Sequence, residues 1–238
     1  MSFIHLRVAS AYSFKYGTTQ PRDLVARASE LEMPALALTD RDGLAGAIRF
    51  TKAAVTHGIA PIIGVNLAIR IGDTSGALPR VTVLAHGDGG WRSLVRLMTG
   101  LQMNSPDRTP VLTPELLEKF SSYTSQLHLL HGPESPVSQA LTAHRFDAAL
   151  TIFNQTRDLF ADHAIECVSH LAPGNGPRST AHAARSLIFA RDNDIDAVLT
   201  NAVRMCHRND GPVADVLDCA RQLVPLHPRH VERRNADG

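Results

Sequence analysis

Long apolar runs are missing from this 238-residue chain, and no stretch approaches the ~20 residues that a membrane-spanning helix needs. Residues 1–8 lack the charged start and apolar centre of a secretory signal. Cysteine is scarce and odd in number, with Cys167, Cys206 and Cys219 only, which argues against a disulfide framework and for a reducing, cytoplasmic setting. Neither sign of charge is in excess: 24 basic residues face 23 acidic ones. Composition therefore gives no general attraction to nucleic acid, and direct DNA binding is expected to be weak or absent. A Walker loop, a dinucleotide-binding glycine pattern and a nucleophile elbow are all lacking, so NTPase, dehydrogenase and serine-hydrolase chemistries have no support.

What is present is an ordinary globular composition, 44% hydrophobic and 20% charged, long enough to bury a sizeable core in one domain. Short apolar runs alternate with longer amphipathic stretches, the pattern of repeated strand–helix units. "FIHLRVA" (3–9), "ALALT" (35–39), "APIIGVNLAI" (60–69), "RVTVLA" (80–85), "QLHLLHG" (126–132), "HAIECVSH" (163–170) and "DAVLTNAVR" (196–204) read as strands. Helices are predicted over 21–33, with Pro21 in the first turn, and over 43–58, with Gly58 as C-terminal cap. Further helices are predicted over 89–102, 113–120, 135–144, 145–160, 180–194 and 211–224, and a hairpin loop over 72–79. Trp91, Leu94, Val95 and Leu97 are most simply core packing. Residues 1–225 are expected to form the domain, and 226–238 a linker-like tail.

About seven strand–helix steps suggest a barrel-like parallel sheet, in which chemistry sits where strands end. The polar residues at those ends are His5 and Arg7, Asp40, Arg41 and Asp42, Asn66, Arg80, Glu166 and His170, and Asn201 and Arg204. Cys167-x-x-His170 with Cys206-His207 also supplies four soft donors. Adjacent ligands such as Cys206 and His207 rarely meet at one metal, so a buried cysteine and surface histidines are the ordinary reading.

The segments "HLRVASAYSFKYG", "PRDLVARASELEMPALALTDRDGLAGAIRFTKAA", "GIAPIIGVNL" and "VLTNAVR" together resemble the PHP (polymerase and histidinol phosphatase) domain of bacterial DNA polymerase III alpha subunits, in its error-prone branch. The resemblance implies an α/β fold, a distorted (β/α)7 barrel. In its active members it implies up to three zinc, manganese or iron ions held by histidines and carboxylates for phosphoester hydrolysis. Carried over residue by residue, six ligand positions hold something else: Arg7, Tyr16, Arg41, Asn66, Ala202 and Arg204. His5, Asp40 and Glu166 remain, with Cys167 and His170 near the last, too few for the family's cluster.

The expectation is thus a vestigial cleft (His5, Arg7, Tyr16, Asp40, Arg41, Asp42, Asn66, Glu166, His170, Ala202 and Arg204) without a cofactor. Zinc or manganese would be the metal if one were bound. The three arginines are expected to pair with Asp40, Asp42 or Glu166, because carboxylates left in a cleft without metal are costly to bury. A second use for Arg7, Arg41 and Arg204 is phosphate binding. The functional expectation is an inactive PHP module acting structurally, or docking a polymerase core or mutasome protein, in replication and translesion repair. The alternatives are a phosphoesterase with a reduced metal site using His5, Asp40, Glu166 and His170, and a phosphate or nucleotide sensor. The tail "VERRNADG" resembles the start of a polymerase core that does not follow, so polymerisation itself is not expected.

Overall fold

A computed structural model describes residues 3–71, 77–105, 109–157, 159–160, 162–227 and 229–230. The first five residues of the expected hairpin loop (72–76) and most of the expected tail (228 and 231–238) lie outside them. In chain order the elements are α1 (Pro21–Glu30), β1 (Ala35–Leu38), α2 (Ala47–Thr56), β2 (Ala60–Ile69), β3 (Arg80–Ala85), α3 (Gly87–Met103), β4 (Val111–Leu112) and α4 (Pro114–Lys119). There follow β5 (Leu127–His131), α5 (Pro136–Thr142), α6 (Phe146–Arg157), β6 (Asp162–Val168), α7 (Thr180–Asp192), β7 (Ala197–Thr200) and α8 (Gly211–Gln222). The contacts divide the chain into two compact units, residues 1–63 with 201–238, and residues 64–200.

In the first unit, α1 starts at Pro21, whose missing N–H costs nothing in a first turn, and places Leu24, Val25 and Ala28 on one face. That face packs with Leu36 and Leu38 of β1, Phe50 and Ala54 of α2, and Val8 and Ile59. β1 pairs in parallel with the first four residues of β2, from Ala35↔Ala60 to Leu38↔Ile63. Gly58, at φ 69°, ends α2 as expected.

The expected first strand, 3–9, forms a single parallel bridge, Val8↔Val203. It is nonetheless held on both sides. Ala37 and Thr39 donate backbone N–H groups to the His5 and Val8 carbonyls, and Ala9 and Val203 exchange bonds with the Val203 and Arg7 carbonyls. The Val8 amide is taken by the Thr39 hydroxyl (2.9 Å), so a side chain interrupts the regular ladder.

In the second unit, β5, β6 and β7 are parallel neighbours, and β4 pairs in parallel with the end of β2. β3 runs antiparallel to both β2 and β5; the first pairing is the one that the expected hairpin loop implies, and both depart from the expected barrel-like parallel sheet. The physical reason is the short connection 70–79, since a parallel crossover needs roughly a dozen residues or more. α5, α6 and α7 cover the sheet through Val137, Leu141, Phe153 and Phe189 against Ile165 and Cys167. Ser135 and Ser179 cap α5 and α7 by accepting from the Ser138 and His182 amides.

Candidate functional site: an arginine–tyrosine stack

In the first unit, the turn after Ala9 folds back tightly. Ser13 and Tyr16 donate their amides to the Ser10 and Ser13 carbonyls. A Cβ at Gly17 would lie 2.0 Å from the Ser10 carbonyl oxygen, so only glycine fits there. The turn presents two hydroxyls to Asp40 at the end of β1. The Asp40 carboxylate accepts from the Ser10 amide (2.6 Å), the Ser10 hydroxyl (2.9 and 3.0 Å) and the Ser13 hydroxyl (2.7 Å). Burial raises the Asp40 pKa; the bonds from Ser13 and Ser10 oppose this without cancelling it. Ser13 in turn accepts from the Arg41 amide (2.9 Å).

Three of the six positions at which the resemblance implies a metal ligand meet next to this turn. The buried Tyr16 ring lies 3.4 Å, centroid to guanidinium carbon, from Arg41 and 4.2 Å from Arg204, with Arg221 of α8 at 5.9 Å. Arg204 donates from Nε and Nη2 to the Tyr16 carbonyl (3.1 and 2.9 Å). It also donates from Nη1 and Nη2 to Asp218 (2.8 and 3.0 Å) in a two-pronged pair. Arg221 donates to the same carboxylate (2.8 Å). Burial alone would raise the Asp218 pKa, but the hydrogen bonds and charge of Arg204, then those of Arg221, outweigh it and hold Asp218 below its ordinary value.

Arg204 was expected to pair with Asp40, Asp42 or Glu166. Its carboxylate partner is instead Asp218, and Asp40 is met by serines. Sequence reasoning missed Asp218 although a signal was there: it sits at helical spacing from Gly211 and Ala214, in the buried stripe of α8.

The other positions of the first unit are accounted for as follows. Arg7 is buried. Ala202 is buried with φ 48°, a left-handed conformation that costs a non-glycine residue about 1 kcal/mol, and Asp42 is left-handed too, at φ 61°. His5 is not hydrogen-bonded to this cluster: its ring packs edge-on against Phe3, and its Nδ1 is buried without a partner beside a cavity along α1.

In the second unit, buried Asn66 donates to the Val81 carbonyl and the Thr82 hydroxyl, and its Oδ1 accepts from Arg80 Nε (2.6 Å). Buried Glu166 accepts from the Thr200 hydroxyl. The Cys167 thiol is pushed up to about 11, by burial and then by the Glu166 charge, so it is a poor thiolate donor. His170 donates its amide to the Arg178 carbonyl.

Among the described residues, no three His, Cys, Asp or Glu side chains are grouped to hold a metal ion, the four soft donors Cys167, His170, Cys206 and His207 included. The donor chemistry of the stack points the same way. Guanidinium has no lone pair to give, and both Asp40 oxygens already take hydroxyl or amide hydrogens. The residues present do not fit the metal cluster that the resemblance implies.

A family model described as "PHP domain" matches residues 5–170. The chain is 40% identical over 124 residues to the error-prone DNA polymerase of Corynebacterium efficiens, covering 51% of this chain and 11% of that protein. It is 30% identical over 253 aligned positions to the error-prone DNA polymerase of Symbiobacterium thermophilum, covering 98% of this chain and 22% of that protein. The chain thus spans less than a quarter of these relatives' length. A crystal structure named as a metal-dependent phosphoesterase from Bifidobacterium adolescentis matches with a TM-score of 0.51 at 14% identity, covering 85% of this chain and 88% of that one. That likeness concerns the fold, and it agrees with the expected α/β class and distorted-barrel plan.

Proposed function

The chain belongs to the PHP domain family, and from that premise we propose that it is a metal-free, catalytically silent PHP module of an error-prone DNA polymerase system. Its work is structural or docking work toward a polymerase core or mutasome protein in replication and translesion repair. The observation that carries this reading is the Arg41–Tyr16–Arg204 stack. The resemblance implies a metal ligand at each of these three positions. Here they contact one another, so the substitutions act as one replacement and not as scattered losses. Two guanidiniums supply positive charge where cations would have sat, and Tyr16 supplies a face for both. Asn66 is engaged with Arg80, and Ala202 has no donor at all.

A phosphoesterase with a reduced metal site would need donors that this cluster has given up. Phosphate capture by the arginines is limited in the same way, because Arg204 spends its hydrogen bonds on Asp218 and the Tyr16 carbonyl. The test is hydrolysis of bis(p-nitrophenyl) phosphate by the purified chain with manganese or zinc added. The proposed function expects no turnover above a protein-free blank. Saturable, metal-dependent turnover that disappears in Asp40→Asn would overturn it.

A further inference from the structure

We propose that the outer face of α8 is a self-association surface. Two copies of this chain pair through it, with their α8 helices antiparallel about a two-fold axis level with residue 218. The face lies within the first unit and includes no residue of the arginine–tyrosine stack, so this inference does not depend on how that stack is read.

Burial divides α8 in two. Gly211, Ala214, Asp218 and Cys219 are buried, whereas Val213, Val216 and Ala220 are exposed, and so is Leu223 at the C-terminal cap. Steps of three, four and three residues put these four side chains in one line along the helix. Phe14, 81% exposed, widens the line near its end. Its ring lies 5.4 Å from Lys15 Nζ, which donates to the Ala220 carbonyl (3.3 Å).

The pattern of the line selects the occupant. Reversing α8 about residue 218 lays the line on itself: Val213 meets Leu223 of the second copy, and Val216 meets its Ala220. These are the layers of an antiparallel helix pair, and an isologous interface requires such a self-complementary patch. The positions beside the line, Pro212, Leu217, Cys219 and Val224, carry no charge. Like charges therefore do not oppose one another across the seam, and a partner chosen by charge has nothing there to read.

Area sets the strength. The line, Phe14 and the partly exposed flanks leave on the order of 500 Å2 of apolar surface open on each chain, as large as the main patch of a typical monomer. Two copies would bury about 1,000 Å2, the low end for a specific interface. The pair is therefore a weak, reversible dimer with a dissociation constant on the order of 10–100 µM.

The test is sedimentation velocity of the full chain from about 5 µM to about 500 µM, a range that brackets that constant. The expected result is a monomer at the low end that shifts to a dimer as concentration rises. Val216→Glu should weaken association at least about tenfold, because each copy then buries a carboxylate against an alanine. Adding Ala220→Lys to the same chain sets each glutamate opposite a lysine of the second copy, and should bring association back to within about threefold of wild type. A monomer across the whole range overturns the proposal, as does association that Val216→Glu leaves unchanged or that Ala220→Lys fails to restore. The wild-type series stands alone even if a variant fails to fold.

Discussion

Asp218 is buried and accepts hydrogen bonds from both Arg204 and Arg221. Its side chain is 2% exposed and faces Arg204 at 7%, so removing one partner strands a buried charge on the other. Asp218→Ala should cost about 3–5 kcal/mol in urea unfolding, far more than removal of an exposed pair such as Arg191–Asp192, worth under about 1 kcal/mol. The pH dependence follows the same group. A carboxylate whose folded pKa lies below its unfolded value stabilises the protein fully above that unfolded value. The contribution is lost as pH falls through the ordinary aspartate range toward the folded pKa. Stability should therefore fall below about pH 4, and Asp218→Asn should flatten that fall. Tyr16 separates a ring contact from a hydroxyl contact: Tyr16→Phe keeps the face between Arg41 and Arg204, and Tyr16→Leu removes it. The leucine variant should be the less stable of the two by about 1–2 kcal/mol, read by the same urea titration. At this scale the resemblance implied which ligand positions had changed, but not that Arg204 pairs with Asp218. Asp218 lies 14 positions from Arg204, and only the packing of α8 brings them together.

Within elements, two buried histidine nitrogens without a hydrogen-bond partner, His131 Nδ1 and His163 Nδ1, lie on the β5–β6 pair. His131 is fully buried and stacks on His163 with ring centroids 6.0 Å apart, next to Phe153. Burial, then the neighbouring His163, lowers its pKa to about 3. An unfolded histidine takes its proton near 6.5 and the folded one refuses it until about 3, so acid favours the unfolded chain across that whole window. Unfolding free energy should fall by up to about 1.4 kcal/mol per pH unit from this residue between pH 6 and pH 4, and His131→Leu should remove that slope. The turn before α1 is the other sensitive element. Gly17→Ala places a methyl against the Ser10 carbonyl and should displace the serines from Asp40, seen as lost amide protection at Ser10 in hydrogen exchange. Helices were legible because their apolar spacing is local, and most boundaries fall within a few residues of the periodicity. The antiparallel pairing of β3 with β2 follows from the expected hairpin loop, but its antiparallel pairing with β5 and the side-chain interruption at Thr39 were not legible, since each depends on partners distant in sequence.

For the whole molecule, the family was readable from a few contiguous segments, and the functional reading depends on how the first unit spends its charge. The chain covers less than a quarter of the two error-prone DNA polymerases it resembles, so the activity of those whole proteins is not carried over to it. The claim that the metal centre has been replaced by an arginine–tyrosine stack is tested most directly by elemental analysis of the full chain purified without chelator. Zinc, manganese and iron each far below one ion per chain is the predicted result, unchanged after incubation with excess metal and desalting. Near-stoichiometric metal that survives desalting and is lost in Asp40→Asn would contradict the account.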